Sequence, residues 1–295
     1  MKDEMWHSRS RRISEAFSQA AQAYDSGASL QRAVATELLE HAAALKISPT
    51  MIVEIGCGTG FLTGGLKRFF PKVTIAGCDI AHSMTAIAAD QVDGSAFHPV
   101  TADGSALPFK NAAFNLAASS LAYQWFTDLT LAFSEIYRVL APGGVLTCSL
   151  LGEDTFKELN TAYRAAAKSA RRDGLPPLMT FPSRSQLLSA LKSAGFKRPS
   201  LTGSARLRFY DDLFSLIRAV RGIGASNPST GGDRSLARGA LLKDMSRLYR
   251  EMFSATPQRG EDGGKNTHPA KDGSNTAERQ IYATYDIIFC TAVKD

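Results

Sequence analysis

The 295-residue sequence contains only four cysteines, Cys57, Cys78, Cys148 and Cys290, and no two of them form a CxxC pair. This spacing signals neither a zinc knuckle nor a redox dithiol. No run approaches the 18 apolar residues of a transmembrane helix, and the N-terminal segment lacks the apolar stretch of a signal peptide. The sequence therefore predicts a soluble protein of the reducing cytoplasm.

Histidine is also sparse, and the five histidines are scattered along the chain, so no cluster with metal-ligand spacing is present. We predict no metal site. With 44% hydrophobic and 21% charged residues, the composition is that of an ordinary globular chain rather than a disordered one. The length allows one large domain or two modest ones.

The excess positive charge is confined to one segment. Residues 1–154 carry 11 Lys and Arg against 15 Asp and Glu, residues 155–250 carry 18 against 6, and residues 251–295 carry 5 against 7. The middle segment, at a net +12, suggests an acidic partner, and nucleic acid, an anionic membrane surface and an acidic protein are all admissible. Solvated helix faces are the alternative. The densest cationic cluster is Lys168, Arg171 and Arg172.

Strands and helices alternate through the first half of the chain. Short apolar runs predict strands, and helical spacing or capping residues predict helices between them. The predicted strands span residues 51–55, 73–78, 97–101, 114–119 and 145–151. This alternation predicts an α/β fold with a doubly wound, mostly parallel sheet whose ligand lies at the carboxyl ends of the strands.

A glycine-rich turn, residues 56–60 (GCGTG), joins the first predicted strand to its helix. Glycine lets backbone amides approach a ligand closely because no Cβ intervenes. Asp79 follows about 20 residues later at the end of the second strand, where a carboxylate can accept both hydroxyls of a ribose. Asp103 ends the third strand, where a carboxylate can accept an adenine amine. Together these positions fit one adenosine lying across the strand ends.

The segments VEIGCGTG (53–60), CD (78–79), ADG (102–104) and LPF (107–109) resemble the S-adenosylmethionine site of class I methyltransferases. The resemblance implies a Rossmann-like fold and S-adenosylmethionine as the cofactor. The cofactor-binding residues that it implies are Glu54, Gly56, Cys57, Gly58, Gly60, Asp79, Ile80, Met84, Asp103, Gly104 and Ser119.

Four further segments, FSQAAQAYDSGASLQ (17–31), SSLAYQW (119–125), RAVRGIGA (218–225) and YATYDIIF (282–289), together resemble the biotin-pathway malonyl-acyl-carrier-protein O-methyltransferases. This resemblance implies methyl esterification of the free carboxylate of a malonyl thioester, which primes pimeloyl synthesis for biotin. It implies an acidic acyl carrier protein as the partner, with neither nucleic acid nor a membrane as a partner. A malonyl carboxylate is already ionised at pH 7, so neither a metal nor a general base is required.

A carboxylate that enters a closed site needs donors or a counter-charge, because burying it unpaired is costly. The candidates for orienting the acceptor are Tyr24, Tyr123, Gln124, Trp125, Arg218 and Arg221. Helix-face salt bridges for the arginines and core packing for the aromatic residues are the alternative. The chain can also be a methyltransferase of another small acceptor, or a non-methylating assembly factor on the same fold.

This assignment divides the chain into five segments. The segments are N-terminal lid helices (1–48), a cofactor-binding core (49–152), a helical acceptor cap with a late sheet strand near 199–209 (153–254), a flexible loop (255–280) and a closing sheet strand (281–295). The loop prediction rests on a polar composition rich in Gly, Asn and Asp without apolar residues that can anchor a core.

Overall fold

The protein is described from a computed structural model, which covers residues 11–19, 21, 27–92, 94, 96–172, 174–222, 236–256 and 279–295. For residues 221, 222 and 236–238 the description is limited to the backbone. Tyr24 and most of the predicted loop at 255–280 therefore lie outside the described residues.

Nine helices and eight strands are present in these ranges. The helices are α1 (residues 11–19), α2 (Ser29–Ala44), α3 (Phe61–Phe69), α4 (His82–Gln91), α5 (Leu129–Val139), α6 (Lys157–Ser169), α7 (Arg184–Ser193), α8 (Leu213–Gly222) and α9 (Leu236–Met252). The strands are β1 (Met51–Ile55), β2 (Thr74–Asp79), β3 (Phe97–Thr101), β4 (Phe114–Ser120), β5 (Leu140–Leu151), β6 (Ser200–Tyr210), β7 (Ser254–Ala255) and β8 (Gln280–Val293). None of the described helices is both long and apolar enough to cross a bilayer.

The strands form one mixed sheet in the order β3-β2-β1-β4-β5-β8-β6, with β7 paired to β8. Strands β1 to β5 pair in parallel, so their carboxyl ends meet at one edge of the sheet. Strand β8 runs antiparallel to β5. The predicted α/β class with a doubly wound, mostly parallel sheet is confirmed, and β1 lies between β2 and β4 at the point where the strand order reverses.

The described chain divides into two compact units. The first contains Met1–Gly152, Pro182–Ser204 and Ile287–Asp295, and the second contains Glu153–Phe181 and Ala205–Asp286. The boundary near residue 153 coincides with the predicted start of the cap. Helix α7, predicted as part of that cap, is instead placed in the first unit, where Leu187 and Leu191 are buried in the same core as α5.

The parallel strands of the first unit are buried on both faces, as continuous apolar runs predict. On one face, α5 and α7 pack over side chains such as Val53 and Ala117. Helix α2 packs against α3 and the sheet through its buried residues Leu30, Val34, Leu38 and Leu39. Helix α2 is thus a packed layer of this unit, which differs from the lid predicted for residues 1–48.

Candidate active site

A cavity of about 100 Å³ lies in the first unit at the carboxyl ends of β1, β2, β3 and β4. Its wall is mostly apolar and is completed by α1, where Ile13 and Phe17 lie one turn apart. Ser14 of the same helix donates a hydrogen bond to the Ile80 carbonyl (3.1 Å). The lining residues are Ile13, Phe17, Ile55, Gly56, Gly58, Cys78, Asp79, Ile80, Met84, Ala102, Asp103, Gly104, Ser120, Leu121, Ala122, Trp125 and Phe126.

The glycine turn after β1 forms the floor of this cavity. Gly56, Gly58 and Gly60 have φ values of +70°, +54° and +91°, a left-handed region that side chains disfavour. A Cβ on Gly56 would lie 2.5 Å from the Cβ of Ala122, whereas a Cβ on Gly58 would meet nothing within 4 Å. The turn therefore approaches the loop after β4 closely at Gly56 and has open space beside Gly58.

Substitution of these two glycines is expected to have unequal effects on stability. Gly58→Ala should lower the free energy of unfolding by about 1 kcal/mol, because only the left-handed backbone is penalised. Gly56→Ala should lower it by at least about 2 kcal/mol, because the contact with Ala122 adds a steric overlap. Urea denaturation of both variants measures the difference, and equal losses would contradict the close approach of the turn to Ala122.

Asp79, at the end of β2, is held by backbone amides. One carboxylate oxygen accepts a hydrogen bond from the Ala81 amide (2.9 Å) and the other from the Gly58 amide (3.0 Å). Burial raises the pKa of this carboxyl, and the bonds from Ala81 and Gly58 oppose that rise. Each carboxylate oxygen has a second lone pair, so Asp79 can still accept bonds from a pair of ligand hydroxyls.

Asp103, after β3, is oriented in a similar way. Its Oδ1 accepts hydrogen bonds from the amide (2.8 Å) and the hydroxyl (2.6 Å) of Ser105. The adjacent Gly104 has no room for a side chain, because a Cβ would lie 2.7 Å from the Phe126 ring and 2.9 Å from Ile55. Asp79 and Asp103 thus line one cavity on adjacent strand ends, as the sequence predicted.

A second, smaller cavity of about 50 Å³ shares Gly56, Gly58 and Ser120 with the first. Glu54 in its wall is buried and accepts a hydrogen bond from the Thr63 hydroxyl (2.6 Å). Burial, with a smaller contribution from the nearby charge of Asp79, raises the pKa of Glu54 to about 8 despite the hydrogen bond from Thr63. The other lining residues are Ala28, Gln31, Arg32, Ala35, Cys57, Thr59, Phe61 and Leu62.

The polar groups of the two cavities fit S-adenosylmethionine. The first offers two carboxylates at strand ends for a nucleoside. The second offers the guanidinium of Arg32 and the carboxyl of Glu54, together with the Oε1 of Gln31, which is buried and has no hydrogen-bond partner within the described residues. A cation, a carboxyl and an unsatisfied acceptor suit a ligand with one carboxylate and one ammonium group. No group of three or more potential metal ligands occurs in the described ranges.

The predicted cofactor residues divide into three groups. Seven of them line the first cavity, namely Gly56, Gly58, Asp79, Ile80, Met84, Asp103 and Gly104, and two line the second alone, Glu54 and Cys57. Gly60 lines neither cavity and instead begins α3, where a Cβ would lie 2.6 Å from Val92. Ser119 also lines neither, because its buried hydroxyl donates to the Ile55 carbonyl (2.8 Å). Ser120 takes its place, since successive side chains of a strand point to opposite faces.

Three of the predicted acceptor residues, Tyr123, Gln124 and Trp125, are described in the first unit. Trp125 lines the first cavity and packs edge-on against Phe17, with ring centroids 5.7 Å apart. Tyr123 is 1% exposed and packs in the core against Phe133, as the core-packing alternative expects. Gln124 does not line the cavity, and its Nε2 donates to the Leu121 carbonyl (2.6 Å). The Tyr123 hydroxyl and the Gln124 Oε1 are buried without a hydrogen-bond partner among the described residues, and the role of these two residues in orienting the acceptor stays a prediction.

The structure does not relate the remaining acceptor candidates to this cavity. Arg218 is exposed on α8 in the second unit, and Arg221 belongs to the same helix, although only its backbone is described. Tyr24 lies outside the described residues. Sequence reasoning missed Gln31, Arg32 and Ser120 as cavity residues, and it missed the left-handed Leu121 (φ 51°) that forms part of the wall. A one-residue change in strand register determines whether Ser119 or Ser120 faces the cavity, and no local sequence pattern predicts that register.

Comparison with known proteins connects this site to one enzyme group. Residues 53–148 match the family described as "Methyltransferase domain". The chain is 34% identical over 254 residues to the malonyl-[acyl-carrier protein] O-methyltransferase of Geobacter sulfurreducens, covering 86% of this chain and 93% of that protein. It is also 34% identical over 246 residues to the biotin biosynthesis bifunctional protein BioHC of Saccharophagus degradans, covering 83% of this chain and 43% of that protein.

Solved structures show the same fold at lower identity. One is a phosphoethanolamine N-methyltransferase of Haemonchus contortus, in complex with phosphomonomethylethanolamine and S-adenosylhomocysteine. The TM-score is 0.51 at 16% identity, covering 88% of this chain and 52% of that one. The predicted methyltransferase fold is therefore confirmed at the level of backbone architecture.

Proposed function

Because the chain belongs to the family of malonyl-[acyl-carrier protein] O-methyltransferases, we propose that it transfers a methyl group from S-adenosylmethionine to the free carboxylate of malonyl-acyl-carrier protein. The observation that carries this proposal is 34% identity to a relative of that name over 93% of its length. The similarity to a biotin biosynthesis protein supports a role of the methyl ester in making biotin. The proposed partner is an acidic acyl carrier protein that bears a malonyl thioester.

Different residues of the first unit bind different parts of the cofactor in this proposal. We assign the ribose hydroxyls to Asp79, the adenine amine to Asp103, and the amino-acid end to Arg32, Gln31 and Glu54. S-adenosylmethionine, when bound, supplies a methyl group on a positively charged sulfur, which is already an activated electrophile. The protein therefore has to place the acceptor oxygen in line and exclude water, rather than to activate the methyl donor.

The acceptor needs no proton removed, because its carboxylate is ionised near neutral pH. The proposed reaction therefore uses no general base. Phe17, Trp125 and Phe126 supply an apolar wall that can exclude water from the reacting atoms. The proposed residues for orienting the acceptor carboxylate remain Tyr24, Tyr123, Gln124, Arg218 and Arg221.

A methylation assay with paired acceptors tests this function. Malonyl-carrier protein should gain one methyl group from S-adenosylmethionine, and acetyl-carrier protein, which lacks the free carboxylate, should gain none. Mass spectrometry of the intact carrier measures both, and the Asp79→Ala variant provides a control with impaired cofactor binding. Methylated acetyl-carrier protein would refute carboxylate esterification. Methylation of a free small acid alone would indicate another acceptor, and cofactor binding without any methylation would indicate an assembly factor.

A further inference from the structure

One surface of the second unit carries five cations that the proposed chemistry does not use. Helix α6 buries Leu159, Ala162, Ala166 and Ala167. Its opposite, exposed face and the turn that follows the helix carry a row that we term the α6 basic stripe, composed of Lys157, Arg164 and Lys168 on the helix and Arg171 and Arg172 in the turn. Lys157, Arg164 and Lys168 follow each other at seven and four residues, which places them on one side of the helix.

The stripe is unfavourable for the helix that carries it. Within the ranges that the structure describes, none of its five side chains forms an ion pair. Within α6, Arg164 and Lys168 are four residues apart, and like charges at this spacing destabilise a helix. Cations near a helix C-terminus interact favourably with the helix dipole, and this interaction offsets part of that repulsion. Folding alone therefore does not account for this many cations on one face.

Arg171 also adopts a backbone conformation that an arginine disfavours. Its φ is +54°, and its amide donates to the Lys168 carbonyl (3.0 Å) while the Arg172 amide donates to Ala167 (2.9 Å). These bonds form the Schellman motif, in which glycine is the favoured residue at the left-handed position. Helix α7 ends in the same motif with Gly195 at that position. The chain thus has an arginine where its own neighbouring helix has the more stable choice.

We propose that the α6 basic stripe is the surface that docks the acidic face of the acyl carrier protein. This inference rests on the proposed function, because the carrier is the partner that the reaction supplies. From Lys157 to Arg172 the stripe is roughly 20 Å long, at 1.5 Å per helical residue, which suits the side of a small protein better than a single phosphate. Charge complementarity of this kind acts mainly on the rate of encounter and on specificity.

The same face is poorly suited to other anionic partners. Its remaining exposed positions are Thr161, Ser169 and Ala170, which provide no aromatic ring for stacking nucleic-acid bases. A membrane-surface helix needs large apolar side chains beside its cations, but the apolar residues of α6 are buried. A folded acidic protein can be bound by the cations alone, without aromatic or large apolar side chains beside them.

Charge reversal on the stripe tests the proposal. The Arg164→Glu, Lys168→Glu, Arg172→Glu triple variant should raise KM for malonyl-carrier protein by at least about tenfold at low salt. Its KM for the malonyl thioester of a small thiol and its affinity for S-adenosylmethionine should stay within about twofold. A control triple variant, Lys46→Glu, Lys72→Glu, Lys110→Glu, changes the net charge equally at exposed positions of the first unit and should leave both KM values unchanged.

Arg171→Gly provides a test in which stability and docking move in opposite directions. Glycine relieves the left-handed backbone, so the melting temperature should rise, while loss of the cation should raise KM for malonyl-carrier protein. The matched control is Lys46→Gly, which replaces an exposed lysine at φ 52° just after α2. It should raise the melting temperature without changing KM for the carrier.

Direct binding separates failure of this proposal from failure of the proposed function. Calorimetry of malonyl-carrier protein with the wild-type protein and the charge-reversed variant does not require turnover. Equal carrier affinity for both proteins would overturn the docking surface even if methylation proceeds. If instead the wild-type protein alone bound vesicles of phosphatidylglycerol and phosphatidylcholine, or a single-stranded RNA, with carrier affinity unchanged, the stripe would serve that partner and the proposal would fail.

Discussion

The Asp79→Ala variant is expected to bind S-adenosylmethionine at least about tenfold more weakly than the wild-type protein. A hydrogen bond to a charged group contributes roughly 1.5–3 kcal/mol, and this carboxylate is assigned two ligand hydroxyls. The same variant should also lose about 1–3 kcal/mol of unfolding free energy, because the Gly58 and Ala81 amides lose their acceptor. Calorimetry measures the affinity, and urea denaturation measures the stability.

The two effects of Asp79→Ala can be separated with a variant that disturbs the turn alone. Gly58→Ala changes the same turn while leaving the carboxylate in place. The affinity of Gly58→Ala for S-adenosylmethionine, compared with that of the wild-type protein, shows how much a disturbed turn alone weakens cofactor binding. If Asp79→Ala bound the cofactor as tightly as the wild-type protein, the nucleoside would lie away from the end of β2.

Glu54 should make the stability of the ligand-free protein depend on pH. Its pKa is raised to about 8 in the folded protein, from an ordinary value of 4.5, chiefly because the carboxyl is buried. The folded state therefore keeps a proton that the unfolded state releases. The stabilisation from this group is fully present below about pH 4.5 and is lost as pH rises through 8, with a ceiling of about 5 kcal/mol.

Glu54→Gln is the matched variant for this effect. The amide retains an acceptor for the Thr63 hydroxyl but cannot ionise. Between about pH 5 and 8 the wild-type protein should lose stability relative to Glu54→Gln, and the difference should be largest at the alkaline end. Denaturant titrations of both proteins across this range measure the difference. A constant difference would mean that Glu54 is ionised in the folded protein throughout.

Features of helices and strands that depend only on neighbouring residues are predictable from the sequence. Asp128 caps the start of α5 by accepting a hydrogen bond from the Leu131 amide, an interaction within one helical turn. Gly195 ends α7 in a left-handed conformation, and the late strand predicted near 199–209 is β6. Each of these features requires only a few neighbouring residues, so a single sequence is sufficient to predict them.

Features that depend on tertiary packing could not be predicted in this way. Tyr123 and Trp125 occur in one short motif, yet one side chain is in the core and the other is at the cavity. Their orientations follow from the 3₁₀ turn at Tyr123–Trp125 and from the packing of Tyr123 on α5, which no spacing rule encodes. Gln31 was noted only as part of a family resemblance, because an unsatisfied buried oxygen becomes visible only when its surroundings are known.

The position of β8 has a consequence for how the chain is made. Its residues Ile287–Val293 pair with Val145–Leu151 of β5, although β8 is synthesised after every other strand of the described sheet. Until then β5 has an unpaired edge, which is a template for pairing with the wrong strand. At 5–20 residues per second, the roughly 140 residues between the two segments take about 7–30 seconds to synthesise. During that interval the nascent chain should depend on chaperones, and variants that slow translation of the intervening segment should aggregate more in cells.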